Sequence, residues 1–356
     1  MRGKEKKQGA MFSTVSPEQR VPKDHPLRAI RTIADEALKT LAPTFRQMYS
    51  KIGRPSIPPE RLLKSMVLIA LFSVRSERQF CEQLDYNLLF RWFLDMDMDE
   101  PSFDPTSFGK NRDRMMQHEV AGKFFDAVVS QARHAGLMSS EHFSVDGTLI
   151  EAWASMKSFR RKDDDDSDNN GWSDFKGDKR SNDTHESKTD PDSKLFRKGP
   201  GREAKLCFMG HALMENRNAL LVGFQTSTAT GTAERDTALQ LLDEQLKGCS
   251  HITLGGDRGF DVREFIQELR LRNVAPHIAQ SEHRTPATDG RTTRHSGYAV
   301  SISARRQIEK VFGWLKVIAG LRRTRLRGLD PTDFIAKLAA ATYNMLRIAN
   351  LKRAAA

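Results

Sequence analysis

Three acidic positions carry the chemistry that this sequence could perform. The stretch His142–Asp146 has strand character and ends in Val145-Asp146-Gly147, and His251–Asp257 ends in the same way in Gly256-Asp257-Arg258-Gly259. In open α/β sheets, polar ligands collect beyond the carboxyl ends of strands, where strand order reverses. If the two strands are neighbours, their aspartates converge; the alternative is that each aspartate simply begins a turn. The flanking glycines favour convergence, because they let backbone and ligand approach closely. Glu309 is the third position. At helical spacing, Arg305, Glu309 and Lys316 fall within about 40° of arc, with Gly313 on the same face. Read alone, Arg305 and Glu309 are an exposed i, i+4 ion pair worth about 0.3–0.5 kcal/mol. Read together, three carboxylates from separated segments can hold two Mg²⁺ ions, which prefer oxygen ligands. Two such ions about 3.5–4 Å apart support in-line phosphoryl transfer. Arg258, Arg305 and Lys316 would then hold phosphate groups.

These positions need a scaffold. From Pro26 to about Gly136 the pattern is helical throughout, with an apolar stripe at Leu62, Leu63, Met66, Leu68, Ile69 and Phe72 opened by Pro58-Pro59-Glu60. Ser76 and Gln79 form a candidate capping box for a helix through Leu84, and further helices are expected over 106–118 and 120–135. From His142 the period changes. Strands are expected at Ala204–Leu213 and Leu220–Ser227, joined by a turn at Glu215–Asn218, then at His251–Asp257 and Asn273–Ala279, the last an edge strand because it contains Pro276. Helices are expected at Ala233–Leu246, Val262–Leu271, about Ser301 to Ala319, and 331–350. Two hairpinned strands followed by βαβ units give a mixed sheet with helices on its faces. Residues 157–203 break the pattern: they include Asp163–Asp166, few aliphatics, and equal numbers of basic and acidic residues, and read as a largely disordered polar insertion.

Composition sets the outer limits. The 356 residues carry a net charge of +11, which predicts affinity for a polyanion. The longest apolar run, Met66–Phe72, is far short of the roughly 20 residues of a membrane helix, and the first residues lack the apolar stretch of a secretory leader. Three cysteines (Cys81, Cys207, Cys249) without a Cys-x-x-Cys pair speak against a disulfide framework or zinc ribbon. The expectation is an intracellular, basic protein.

At these motifs the sequence resembles the DDE transposases of bacterial insertion sequences, in particular the group called insertion sequence five. The resemblance rests on Gly53–Lys64, Val145-Asp-Gly-Thr-Leu-Ile-Glu-Ala-Trp153, Thr184–Asp192, Gly256–Asp261 and Arg305–Lys316, and covers nearly the whole chain. The last matches the family pattern of Arg, three residues, Glu, six residues, Lys. The family's Tyr three residues before that Arg is Ile302 here, with Tyr298 a candidate substitute. The resemblance implies a ribonuclease-H-like mixed five-stranded sheet flanked by helices, preceded by an all-helical N-terminal domain. With residues 1–24 reading as a basic flexible tail, this gives a helical DNA-binding domain at 25–140 and a catalytic domain at 141–350 interrupted by the insertion. Asp146, Asp257 and Glu309 would be the catalytic and metal-binding residues, for two Mg²⁺ (or Mn²⁺) ions. The partners implied are terminal inverted repeats and target DNA, with the protein acting as a homo-oligomer, at least a dimer, in the bacterial cytoplasm at the nucleoid. A metal-dependent nuclease that cuts without joining and a non-catalytic DNA-binding regulator are the alternatives.

DNA contacts are expected from Arg258, Arg305 and Lys316 and from the cluster Arg322, Arg323, Arg325 and Arg327, which would neutralise phosphates without reading sequence. The helix pair 60–73 and 77–84 could form a helix-turn-helix, with Lys51, Arg54, Arg75 and Arg78 as candidates, or a packed bundle without base contacts. Among competing carboxylates, Asp261 reads as a helix N-cap, Glu151 lies too close to Asp146, and Asp163–Asp166 read as solvated linker. His185, His211, His251 and His277 show no paired metal spacing, and no Gly-rich ATP-binding loop is present.

Overall fold

The computed structural model of the chain describes residues 16–50, 52–53, 56–162, 180–197, 199, 201, 203–282 and 285–355. Lys51, Arg54, the first fifteen residues and Asp163–Asp166 lie outside them.

Seven helices come first: α1 (Pro17–Arg20), α2 (Pro26–Met48), α3 (Pro59–Leu71), α4 (Glu77–Tyr86), α5 (Leu88–Phe93), α6 (Pro105–Gln117) and α7 (Val120–His134). The capping box forms: Ser76 Oγ accepts from Gln79 N–H at 3.1 Å, and Gln79 Oε1 accepts from Arg75 N–H at 3.0 Å. Residues 16–24 do not behave as a free tail. Glu18 Oε2 accepts from Trp92 Nε1 at 2.5 Å and pairs with Arg28, which pins α1 against α5.

The second half holds β1 (His142–Glu151), β2 (Phe159–Arg161), β3 (His185–Ser187), β4 (Lys194–Phe196), β5 (Lys205–Glu215), β6 (Leu221–Thr228), α8 (Ala233–Gln245), β7 (Thr253–Gly256), α9 (Arg263–Leu271), β8 (Ala275–Ile278), α10 (Gly290–Thr293), α11 (Ser296–Arg305), α12 (Gln307–Val317) and α13 (Leu329–Ala355). All five expected strands form, in the spatial order β6-β5-β1-β7-β8, with β5 antiparallel to both neighbours and β1, β7 and β8 parallel. This is the ribonuclease-H-like order. Pro276 does sit on an edge strand, since β8 pairs with β7 alone.

The sheet has six strands, not five. β4 extends the β6 side of β5, pairing Leu195 with Leu206. It comes from the segment expected to be disordered, and the described parts of that segment are tied down. β2 and β3 form a small antiparallel pair. Asp190, which is buried, accepts from Gly328 N–H at 3.1 Å, and Asp192 accepts from Leu329 N–H at 3.0 Å. Two carboxylates of the Thr184–Asp192 motif thus meet the exposed N–H groups at the start of α13, where negative charge is favourable.

Alternation along β1 and β5 makes the layers. Phe143, Val145, Leu213 and Val222 pack with α8 and α9, whereas Ala212, Met214 and Phe224 face the other way, into a core shared with α2, α3, α6, α7, α12 and α13. The largest hydrophobic core therefore joins the helical region to the sheet. The boundary expected near residue 140 marks a change of secondary structure, not a gap in packing. α3 is buried on most of its surface, which leaves α4, with Arg75 and Arg78 exposed beside it, as the outward member of the pair.

The β5–β6 turn is closed from inside. Glu215 is fully buried, and its carboxylate accepts from the backbone N–H groups of Ser139, Arg217, Asn218 and Leu220 at 2.8–3.1 Å. Removing it orphans four backbone donors, those of Ser139 and Leu220 in buried bonds and those of Arg217 and Asn218 in partly buried ones. Glu215→Ala is expected to destabilise the protein by on the order of 3 kcal/mol or more, measured by denaturant unfolding. A loss under about 0.5 kcal/mol would contradict this role.

Candidate active site

The two aspartates are brought together by strand register. β1 and β7 pair in parallel as His142 with Thr253, Phe143 with Leu254 and Ser144 with Gly255. Two residues beyond the last pair stand Asp146 and Asp257. In a shared parallel register, residues two apart return to the same face, so both carboxylates emerge on the side of Ser144 and Gly255. Beyond Gly256 β7 has ended, while β1 runs on to Glu151 against β5. Asp146 is therefore mid-strand, not strand-terminal as the sequence suggested. It sits at an edge opened by the end of its neighbour.

The electrostatics of the pair follow from this placement. Burial first, and the Asp257 charge second, push the Asp146 carboxyl up to about 7; Glu234 adds to the push, while the Gly147 N–H (2.8 Å) and Arg305 pull it down. Arg305 Nη1 lies 3.7 Å from Asp146 Oδ2, with both side chains mostly buried. Its Nε is buried and makes no hydrogen bond among the described residues. Asp257 Oδ1 accepts from Gly259 N–H at 2.8 Å, which fixes the turn after β7.

Glu309 is reached differently. The single helix expected from Ser301 to Ala319 is two helices, α11 and α12, with Arg306 as the irregular residue between them. Arg305 ends α11 and points at Asp146. Glu309 lies in the first turn of α12, exposed, and Gly313 next to it is exposed with open space where a side chain would be. Among the described residues, no three His, Cys, Asp or Glu side chains gather closely enough to hold an ion. Asp146 and Asp257 converge; Glu309 stands on the helix that follows Arg305, outside that cluster. The donor chemistry still fits a divalent ion. Two carboxylates, one held toward neutrality by burial and a like charge, form an all-oxygen position that a cation would relieve.

The other expected residues separate by what they touch. Arg258 is exposed and paired with Glu282. Lys316 lines a cleft with Trp153, Arg322, Arg323 and Arg325. Arg323 donates to Ala152 O (3.1 Å) and Trp153 O (2.8 Å), and Arg325 donates to Val74 O (3.0 Å) and to Arg75 O, so both tie the chain together while staying exposed. Arg322 and Arg327 remain exposed. Asp261 is not the N-cap of α9, which is Val262. Its buried carboxylate instead holds a loop through Ser281 N, Ala287 N and Thr288 N. Tyr298 is engaged as well: its hydroxyl donates to Ile278 O at 3.0 Å, and its ring meets His277. Two neighbours escaped the sequence reading. Glu234, in the first turn of α8, lies so close to Gly147 that a Cβ there would come within 2.4 Å of its Oε1. Trp153, 47% exposed, lies just past β1. The Asp-Gly pair was the available signal for the first, since only glycine admits that approach.

The family model described as a transposase domain (DUF772) matches residues 15–114, and the transposase DDE domain matches residues 172–345, which include Asp257 and Glu309. The chain belongs to the insertion-sequence type of DDE transposase. It is an enzyme of DNA transposition, and members of this family act on DNA with divalent metal ions. No curated protein sequence matches the chain. Among solved structures, a piggyBac transposase synaptic complex with hairpin DNA is 10% identical with a TM-score of 0.43, covering 92% of this chain and 76% of that one. A Mos1 transposase paired-end complex with the left transposon end is 11% identical with a TM-score of 0.20, covering 84% and 93%. At these scores the fold of the transposase rests on its own strand order. Among its described residues, no helix is long and apolar enough to cross a membrane.

A carboxyl raised from 3.8 to about 7 on folding disfavours the folded state fully above pH about 7 and progressively less as the pH falls toward 4. Asp146→Asn is expected to stabilise the metal-free transposase at pH 8 by on the order of 1–4 kcal/mol, with the gain shrinking between pH 7 and 4. Thermal melts at pH 8 and pH 5 check this, and no gain at pH 8 contradicts it.

Proposed function

We propose that Asp146, Asp257 and Glu309 are the catalytic carboxylates of this transposase, holding two Mg²⁺ or Mn²⁺ ions, and that the chain belongs to the insertion sequence five group. The observation that carries the reading is the shared register of Asp146 and Asp257 at an opened strand edge, with its like-charge pressure. Bound at such a position, a pair of divalent ions supplies charge stabilisation for the attacking and leaving oxygens of an in-line displacement at phosphorus.

The chain's own residues do the rest. Asp146 and Asp257 present acceptor oxygens from a rigid sheet, which limits their freedom before substrate arrives. Arg305 compensates Asp146 in the metal-free protein, and its fork is suited to a phosphate oxygen once a cation neutralises the carboxylate. Glu309, on the helix beginning beside Arg305, would complete the ligand set by a local adjustment at Arg306. Arg258 and Lys316 flank this site and would hold the DNA backbone, with Arg322 and Arg327 farther along.

In this reading the enzyme hydrolyses a phosphodiester at each terminal inverted repeat. Each 3′-hydroxyl then attacks a phosphodiester of target DNA, forming the new P–O bond as the target's own 3′-oxygen leaves. Two ends must be processed and joined together, which calls for a homo-oligomer, at least a dimer, and such an enzyme would work on the DNA of the bacterial nucleoid. The helical region, α4 foremost, would contact the repeats, as the DNA-binding part of a chain whose catalytic part spans 141–350.

Asp146→Asn, Asp257→Asn and Glu309→Gln are each expected to lower Mg²⁺-dependent cleavage and joining by on the order of 10³-fold or more, with binding of the DNA end retained in a gel-shift assay. A variant that cleaves and joins like the parent removes its carboxylate from the site. Cleavage by the parent without any joined product would favour the nuclease reading. Replacing Arg322 and Arg327 together with Ala is expected to weaken binding equally across DNA sequences. It should also reduce the slope of log affinity against log salt by about 2; altered sequence preference at unchanged slope would contradict phosphate contact.

A further inference from the structure

The cleft beyond the end of β1 differs in chemistry from every other concavity described. It has a volume of about 360 Å³ and is lined by Trp153, Lys316, Val317, Gly320, Thr324 and the arginines 322, 323 and 325, with no carboxylate among them. Trp153 keeps 47% of its surface in water, unusual for a large aromatic side chain. Arg323 lies over its ring, 5.3 Å from guanidinium to centroid. That guanidinium is held in place by its bonds to Ala152 O and Trp153 O. These bonds hold the Arg323 guanidinium against the indole before anything binds. The bridge between Glu151 and Arg323 joins this surface to the strand that carries Asp146.

We propose that Trp153 and Arg323 form a stacking platform for an unpaired base of the DNA whose phosphodiester is attacked at Asp146 and Asp257. The inference rests on the catalytic reading for its location, but not for its chemistry. Planar aromatic and guanidinium faces bind any base by stacking, and a basic groove tracks the backbone on either side. Lys316 and Arg322 supply that groove. A paired base in a duplex is stacked on both faces already and offers no free face to an indole, so the ligand is a nucleotide taken out of the helix or lying in a single strand. Its distance from the carboxylates sets its place. Lys316 is two helical turns past Glu309, roughly 10 Å along α12, and Trp153 is seven residues past Asp146, at most about 23 Å along an extended chain. The platform thus serves a nucleotide a few positions from the scissile phosphate. A surface for a second copy of this chain would carry the exposed indole too, but the lining, whose charged residues are all cationic, would repel an identical face across a two-fold axis.

The test uses the full-length chain without divalent ion, so that no outcome depends on the carboxylates. A fluorescently labelled single-stranded oligonucleotide, and a hairpin duplex with one unpaired base, are titrated into the parent, Trp153→Ala and Trp153→Phe. Trp153→Ala is expected to weaken binding of both by about 5- to 100-fold, the range that loss of one stacked base gives. The same substitution should change binding of a fully paired duplex by less than about twofold, and Trp153→Phe should retain most of the affinity. Tryptophan emission of the parent should be quenched by the single strand, and that quenching should be absent in Trp153→Phe although binding persists, a readout that stands even if Trp153→Ala folds poorly. Unchanged single-strand binding by Trp153→Ala, equal loss in both variants, equal weakening of the fully paired duplex, or quenching that persists in Trp153→Phe overturns the platform. So does loss of self-association in sedimentation with single-strand affinity intact. The carboxylate assignment stands or falls separately, on cleavage by Asp146→Asn.

Discussion

A parallel strand pair that stops early governs the rest of the molecule. β7 pairs with β1 for three residues and ends at Gly256, while β1 continues for most of its length against β5. The sheet therefore has an internal step, and the two aspartates at that step share a face because they share a register. Like charges at a mostly buried step are costly, and the chain answers the cost with a raised Asp146 pKa and with Arg305 at 3.7 Å. Neither answer is complete. The proton is lost above neutrality, and the guanidinium leaves its Nε without a hydrogen bond among the described residues. A site that is only partly compensated by its own protein is one in which an added cation gains the most.

The helical half supports that step instead of standing apart from it. α13 packs on α7, α2 and α3 and also lies on β6, so one apolar core runs from the first long helix to the sheet. Polar ties cross the same boundary: Arg325 holds the carbonyls of Val74 and Arg75, and Ser73 Oγ donates to Ile318 O at 2.7 Å. Two members of the basic cluster thereby also tie the chain together. Charge in a sequence is common property of surface, packing and ligand binding, and only contacts divide it. All four arginines are exposed, but Arg323 and Arg325 also make backbone hydrogen bonds.

Much of the fold was legible because it is set by short-range rules. The change of period from His142 and the turn residues located all five principal strands, Pro276 marked the edge, and the Ser76–Gln79 pair started α4 as its spacing required. What escaped was set by contacts between distant residues. The insertion has too few aliphatics to form a core of its own, yet Asp190 and Asp192 find the N-terminus of α13 some 137 residues later. Asp261 has the spacing of an N-cap but is taken by a loop twenty residues on. Glu234 is unremarkable in its helix until Gly147, from another strand, comes under it. At the site, Asp146 and Asp257 were legible from their motifs and the sheet order, while the break at Arg306 was not, since the periodicity of 301–319 is continuous across it.

That break bears on how the three carboxylates could act together. In one uninterrupted helix, Arg305 and Glu309 would be stacked neighbours, and any movement that brought one to Asp146 would bring the other. Here Arg305 ends α11 beside Asp146 while Glu309, in the first turn of α12, lies in solvent. In this arrangement a cation supplied by the protein, Arg305, stands at Asp146. Replacing the guanidinium by an external cation removes the need for Arg305 and creates a need for a further carboxylate, and both changes fall on the same short stretch of backbone. Arg306, which joins the two helices, thus lies between the residue that compensates Asp146 now and the carboxylate proposed to share its ion.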